Sequence, residues 1–390
     1  MLTMVHNNRV HLENGIFKVD RKFHVGMQSY VRGVRAPILS IHPTSPSGTA
    51  IMDPVEIPCA ELGYSVMGLR TDKLMRPLPV DRMQLRDAIR NSRLVYGGGL
   101  GSAELARKLG VPYILAREYD LLTEISVATS QVVSAVRRAA RTLRCVLNYA
   151  RDIQLLRHAA QLHCNGYPIF DETKRFNDKR LLYLDSRMSM DAVISEAALL
   201  ARLSGRASRP LRLLYSGRYE PIKGAADAIR VALTCLRRGM DIEMHCYGQG
   251  SLVDTMRAMV SEAGQTGRVV VHDTVPYPEL IEIARTFDIF VCCHIQSDPS
   301  CTYLESLGCG LPIVGYGNRM WRRLSEESGA GLATPLHLPD AVAESVKQLS
   351  INADVIQSMS MRARKFAMEH TFEQEFALRI EALNAALGTT

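Results

Sequence analysis

Short apolar runs alternate along the chain with segments whose apolar residues recur every three or four positions. The runs "APILSIHP" (36–43), "SRLVYGGG" (92–99) and "VPYILAREYD" (111–120) read as buried strands. A helix is expected over "GMQSYVRGV", ahead of the first run. A shorter one is expected over "SAELARKLG", capped by Ser102 and stopped by Gly110. Together they predict one α/β unit over roughly the first 180 residues. After a less regular stretch and a further helical segment, "SGRASRP" (204–210) reads as a linker. A second series starts at Leu211, with strands in "LRLLYSG", "DIEMHCYG", "RVVVHD", "DIFVCCH" and "LPIVGYG". Helices are expected between them near 224–238, 251–263, 277–286 and 299–308, and one or two long helices over 355–387. The pattern predicts two Rossmann-like, doubly wound α/β domains facing a cleft: 1–190, then 205–370, with a C-terminal helix over 371–390.

At 390 residues the chain has room for two or three domains. Its net charge of +7 favours an anionic partner. The nine cysteines form no CxxC pair, which argues against zinc and thioredoxin-like chemistry and fits free thiols in a reducing cytoplasm. No signal peptide is expected from "MLTMVHNNRVHLENG", and no segment is apolar for long enough to span a bilayer. Basic residues are not interleaved with aromatics, so no nucleic-acid partner is expected. No strand runs into a clean GxGxxG; "YGGGLGSA" comes nearest and lacks the acidic residue of a dehydrogenase.

Ligands of doubly wound sheets sit at strand carboxyl ends, and two such ends carry chemistry. In "LLYSGRYEPIKG", Gly217 and Arg218 end a strand, and Lys223 and Gly224 precede a helix. Two cations beside free helix N–H groups suit a phosphate; a solvated loop with Arg218 paired to Glu220 is the plainer alternative. In "HIQSDPSCTYLESLGCG", Asp298 can cap a helix beginning at Pro299. The amides of Ser300, Cys301 and Thr302 then face the cleft, with Glu305 within reach of ribose hydroxyls, unless Glu305 simply faces solvent.

Linked in order, "SGRYEPIKG…YGQG…VPYPEL…DIFVCCHIQSDPSCTYLESLGCGLPIV" resembles the C-terminal domain of family-4 (group 1) glycosyltransferases of the GT-B fold over about 130 residues. The first domain matches loosely. The resemblance implies a nucleotide-diphosphate-sugar donor, no other cofactor and no metal, and C-terminal helices that cross back to the first domain. It implies retention of configuration and a glycan, lipid-linked or small-molecule acceptor. Arg218 and Lys223 would clamp the diphosphate beside Gly217, helped by the Cys301 and Thr302 amides. Glu305 would hold the ribose, and Val275 with Tyr247, Gly248 and Gly250 would border the base. Where the family's first glutamate is expected the chain has Ser297, with Asp298 next door. That departure leaves open a non-catalytic, nucleotide-sugar-binding subunit of a polysaccharide assembly complex.

In the first domain, Glu118 falls where relatives place a catalytic histidine; a base, a sugar-hydroxyl acceptor and an ion pair with Arg117 are all open. His24 and Gly26, in a loop expected before the first helix, are candidates for the acceptor side, as are Arg21 and Lys22. Between 130 and 160 six arginines meet one acid, Asp152. Arg137, Arg141, Arg144 and Arg151 share a helical face that can dock peripherally on an anionic membrane or simply be solvated.

Overall fold

The computed structural model describes residues 1–45, 51 and 53–388. The first lobe holds ten strands: β1 (Leu2–Val5), β2 (His11–Glu13), β3 (Ile16–Asp20), β4 (Ile38–Pro43), β5 (Pro54–Pro58), β6 (Ser65–Leu69), β7 (Leu94–Gly97), β8 (Tyr113–Arg117), β9 (Gln161–Asn165) and β10 (Arg180–Tyr183). Seven make a parallel sheet in the order β10-β9-β8-β7-β1-β4-β6, and β2, β3 and β5 make a small antiparallel one. The second lobe is a six-stranded parallel sheet, β13-β12-β11-β14-β15-β16, built from β11 (Leu211–Ser216), β12 (Ile242–Tyr247), β13 (Val269–His272), β14 (Ile289–Cys292), β15 (Ile313–Tyr316) and β16 (Gly331–Thr334).

Central parallel strands are covered by helices on both faces, so their residues are apolar without alternation. Strand β14, "IFVC", is buried throughout. On one face of its sheet Leu213 and Val291 pack against Val231 and Val346 from two covering helices. On the other Phe290 meets Leu304, Leu307 and Trp321. The linker is anchored where β11 and β14 begin. The fully buried Asp288 carboxylate accepts from both Arg209 terminal nitrogens (2.7 and 2.9 Å) and from the Arg212 amide (2.9 Å).

The long C-terminal segment is two helices. Ala353–Glu369 belongs to the second lobe, where Phe366 joins the core. Phe372–Gly388 crosses back and puts Phe376, Leu383 and Leu387 into the core of the first. The Glu375 carboxylate accepts from the Leu184 amide at 2.8 Å.

Local readings change in four places. Residues 21–26 are not a loop: the first helix runs Arg21–Gly33, because Asp20 caps it by accepting from the Lys22 and Phe23 amides. Gly26 lies in that helix against the returning C-terminal one. A Cβ there would stand 2.9 Å from the Phe376 ring, so the glycine lets the returning helix pack. Ser102 is not a cap; it is buried in the first turn, and Gly101 precedes it in a left-handed conformation. The helix expected from Pro299 starts at Thr302. Strands β1, β2, β3, β5, β6, β9, β10 and β16 are not among those the apolar pattern predicts.

Removing Asp288 strands a half-enclosed guanidinium and an amide. Asp288→Ala is therefore expected to cost about 3 kcal/mol in urea unfolding. An unchanged midpoint would show that the linker anchor contributes nothing to the second lobe.

Candidate active-site cleft

Strand order reverses at β11 in the second sheet, between β12 and β14. Loops diverge there and leave a crevice at the carboxyl ends. Two close approaches fix its floor. A Cβ on Gly224 (φ 62°) would stand 1.9 Å from the Cys293 carbonyl oxygen, and one on Gly248 2.0 Å from that of Gly217. Only glycine fits either position. This seating draws Lys223 into the protein, where it is 6% exposed and donates to Asp298 Oδ2 at 2.6 Å. Arg218 stays exposed and lines a cavity of about 310 Å³ with Gln296 and, from the first lobe, Tyr119. It does not pair with Glu220, whose carboxylate accepts from the Ser251 amide (3.1 Å) and hydroxyl (2.7 Å).

Asp298 does not cap a helix; its carboxylate turns to Lys223 instead. The same loop holds buried polar atoms with no partner among the described residues: Asp298 Oδ1, Gln296 Oε1 and both ring nitrogens of His294. Burial, with Lys223 beside it, pushes His294 down to about 3. Ser297 accepts from the Arg319 amide at 3.1 Å, and the Arg319 guanidinium crosses to the fully buried Asp120 of the first lobe. The Ser300 amide is taken by the Asp298 carbonyl, whereas those of Cys301 and Thr302 have no acceptor among the described residues. Glu305 is buried and does not face solvent. Arg187 holds it at 2.6 Å, and the Arg187 guanidinium lies over the Tyr277 ring, 4.4 Å from its centroid. Next to these, Tyr247 stacks on His272 at 4.4 Å, and Val275 sits half-buried in the loop after β13.

In the first sheet order reverses at β1, between β7 and β4. A cavity of about 720 Å³ opens there, lined by His6, Asn7, Phe23, Gly98, Glu118 and Glu124 among others. The turn "YGGG" shapes it, since a Cβ on Gly97 or Gly99 would meet the Val5 or His6 carbonyl within 2.5 Å. His24 does not line the cavity; its neighbour Phe23 does. Arg117 pairs with Asp152 at 2.7 Å and leaves Glu118 unpaired by it. Glu118 is open to the cleft, yet its carboxyl is pushed up by loss of water between the lobes and by Asp185 and Asp298, with Lys22 opposing. Lys22 binds Asp185 and reaches Cys301 Sγ of the second lobe at 3.3 Å.

The structure pairs Lys223 with Asp298 and sets Gly217 against Gly248 beside Arg218, while Cys301, Thr302 and Glu305 follow Asp298 in the next loop and helix. It adds Arg187, Arg319, Tyr119 and His6, which sequence reasoning missed. The one available signal was "YGGG": a turn that needs three glycines must abut another strand end, here that of β1.

Two facing Rossmann-like domains with a returning C-terminal helix define the GT-B class. Along the whole chain the fold matches HepE of Anabaena, solved in complex with UDP (TM-score 0.65, 11% identity, covering 100% of this chain and 98% of that one). It also matches the sucrose-phosphate synthase of Thermosynechococcus elongatus (TM-score 0.67, 13% identity, 100% and 99%). Within that class, residues 202–366 match the family model of the group 1 glycosyl transferases. A D-inositol 3-phosphate glycosyltransferase of Paenarthrobacter aurescens (strain TC1) is 23% identical over 195 residues, 47% of this chain and 48% of that protein. The chain spans about half the length of the curated relatives it matches.

Burial holds His6 at about 4 and His294 at about 3, below the ordinary 6.5. A depressed histidine leaves folding unaffected above pH 6.5 and opposes it as the unfolded chain takes up protons below. Stability should fall from pH 6.5 towards 4, by about 2 kcal/mol per such histidine at pH 5. Urea midpoints between pH 7 and 4.5 measure this, and His294→Asn should flatten the slope. A slope unaltered by that substitution would mean that His294 takes up its proton alike in the folded and unfolded chains.

Proposed function

We propose that the chain is a glycosyltransferase that moves a sugar from a nucleotide-diphosphate sugar to a glycan, lipid-linked or small-molecule acceptor. In this reading configuration is retained and no divalent metal is needed. The observation that carries it is the cluster at the second switch point: a buried ammonium held by Asp298, an exposed guanidinium that lines a cavity with Gln296 and with Tyr119 of the first lobe, and carboxylate and amide oxygens with no partner among the described residues. Unpartnered buried polar atoms are costly unless a ligand completes them. The UDP found in HepE makes a uridine nucleotide the first donor to try.

As the sugar–diphosphate bond breaks, negative charge grows on the leaving diphosphate. Lys223, held in advance by Asp298, and the exposed Arg218 meet it, and a charge placed beforehand is the most effective form of electrostatic stabilisation. Asp298 Oδ1 and Gln296 Oε1 accept from hydroxyls of the donor sugar, so that Asp298 does the work of the glutamate absent at 297. Glu305, already oriented by Arg187, takes the ribose hydroxyls. The Tyr247 and Val275 region borders the base. Retention follows when the leaving oxygen takes the acceptor proton on the same face. Glu118 stands opposite as a hydroxyl acceptor or base.

A thermal-shift series with uridine diphosphate should raise the melting temperature by mass action. Lys223→Ala should lower transfer about a hundredfold to a thousandfold, the loss typical of a preorganised donor removed from a transition state. Glu305→Gln should weaken donor binding about tenfold with little effect on turnover, and transfer should persist in a chelator. Tight binding of the nucleotide sugar without hydrolysis or transfer would instead favour the non-catalytic subunit.

We also propose that the helix Ala135–His158 rests on an anionic membrane. Among the described residues no helix is long and apolar enough to cross one. On this helix only Cys145, Tyr149 and Leu156 are buried, while Val136 is 79% and Leu143 59% exposed. Arg141 donates to the Ala128 carbonyl at 2.8 Å, and Arg137, Arg141, Arg144 and Arg151 are all exposed beside the apolar row. Arginine beside exposed apolar side chains suits a lipid interface. The protein should sediment with phosphatidylglycerol vesicles and much less with phosphatidylcholine. Val136→Glu with Leu143→Glu should abolish the difference, and a variant that still sediments with phosphatidylglycerol vesicles as strongly as the unaltered protein would refute the contact.

A further inference from the structure

The cavity between the lobes that Arg218 lines has a second guanidinium in its wall, that of Arg141 from the first lobe. Arg141 stands on the helix Ala135–His158. Its Nη1 donates at 2.8 Å to the carbonyl of Ala128, in the last turn of the helix Leu121–Thr129. That bond fixes one edge of the guanidinium and leaves the other edge without a partner among the described residues. Of the arginines on its helix, Arg141 alone lines this cavity. In the opposite wall the Arg218 carbonyl accepts from the Glu220 amide at 2.9 Å and from the Tyr215 hydroxyl at 3.1 Å. These bonds anchor the backbone from which the Arg218 side chain projects. Neither guanidinium has a carboxylate within ion-pair distance among the described residues.

Elsewhere a cation of one lobe meets an acceptor of the other, as Arg319 meets Asp120. Here two cations face one small cavity, an approach that costs free energy until an anion enters between them. Among the described residues one acid stands in the wall, Glu220, and its carboxylate oxygens are turned to the Ser251 amide and hydroxyl. The Tyr119 hydroxyl is pushed up to about 12 by burial, Glu118 and Asp298, so at neutral pH it keeps a proton to donate. Gln296, whose Oε1 has no partner among the described residues, can accept from a hydroxyl beside the anion. Guanidinium is well matched to phosphate, because its planar fork of N–H groups meets two oxygens at once.

We propose that this cavity is a phosphate site shared by the two lobes, with Arg141 its first-lobe half and Arg218 its second-lobe half. A phosphate that bridges them turns a repulsion into a contact, so its binding is linked to the approach of the lobes. Two sources share this chemistry. One is the diphosphate of a donor nucleotide, in which case the site rests on the transferase reading. The other is a separate phosphate bound beside the nucleotide, in which case it does not.

The test is isothermal titration of the full chain with uridine, uridine diphosphate and pyrophosphate, and with pyrophosphate again after saturation with uridine diphosphate. Arg141→Gln is expected to weaken a phosphate-bearing probe at least tenfold and to leave uridine unaffected. A loss on uridine diphosphate assigns the site to the nucleotide. A loss confined to pyrophosphate in the saturated protein assigns it to a separate phosphate. Gln131→Glu, which puts a carboxylate into the same wall, should weaken the same probe, and Arg141→Lys should restore part of the affinity. Arg157→Gln removes the same charge from the exposed far end of the helix and should alter none of these affinities. Affinities unchanged by both Arg141→Gln and Gln131→Glu, or lowered as much by Arg157→Gln, would overturn the inference. So would an unaltered protein that binds neither uridine diphosphate nor pyrophosphate. Failure of the transferase reading shows separately, as absence of uridine diphosphate binding while pyrophosphate still binds and still depends on Arg141.

Discussion

The ion pair between Lys223 and Asp298 is the constraint on which the cleft depends. A buried lysine and a buried aspartate lose most of their hydration, and their mutual attraction only partly offsets that loss. Such a pair is weak evidence for stability. Here it is also incomplete, with one carboxylate oxygen unsatisfied and His294 and Gln296 unpaired around it. The arrangement is that of a site held ready. The fold supplies the cost of bringing charge together, and an incoming anion with hydroxyls supplies the missing partners.

The same design recurs in the two lobes. In each sheet the strand order reverses at a central strand, and glycines allow neighbouring loops to approach to backbone contact. In the second lobe Gly224 and Gly248 do this; in the first, Gly97 and Gly99. Arg218 lines the crevice of the second lobe, and Glu118 and Glu124 line that of the first. Contacts span the gap: Arg319 to Asp120, and Lys22 to Cys301. The helix Phe372–Gly388 ties the C-terminus back to the first core through Phe376, and Gly26 and Gly33 give it room.

Much of this was legible in the chain. Long apolar runs gave the central strands, and "GRYEPIKG" with the "SDPSCTYLE" segment gave the second-lobe site, because both motifs lie at strand ends within one linked pattern. What was hidden has physical reasons. Strand β1 is four residues long at the chain's start and is stabilised by β4 and β7, so its own pattern is too short to announce it; His6 was lost with it. Arg187 and Arg319 act across more than a hundred residues of sequence or between lobes, which no local periodicity encodes. Asp298 looked like a cap because Pro299 follows it. Tertiary pairing with Lys223 outweighed that local preference. Gly26 looked like part of a loop, yet its role is set by a helix some 350 residues away.

A crystal structure with a nucleoside diphosphate bound tests the central claim most directly. The account requires diphosphate oxygens within hydrogen-bonding distance of both the Lys223 ammonium and the Arg218 guanidinium, with Asp298 still holding the lysine from behind. A diphosphate seated elsewhere, at the "YGGG" turn of the first lobe for instance, with Lys223 and Asp298 untouched, would contradict it.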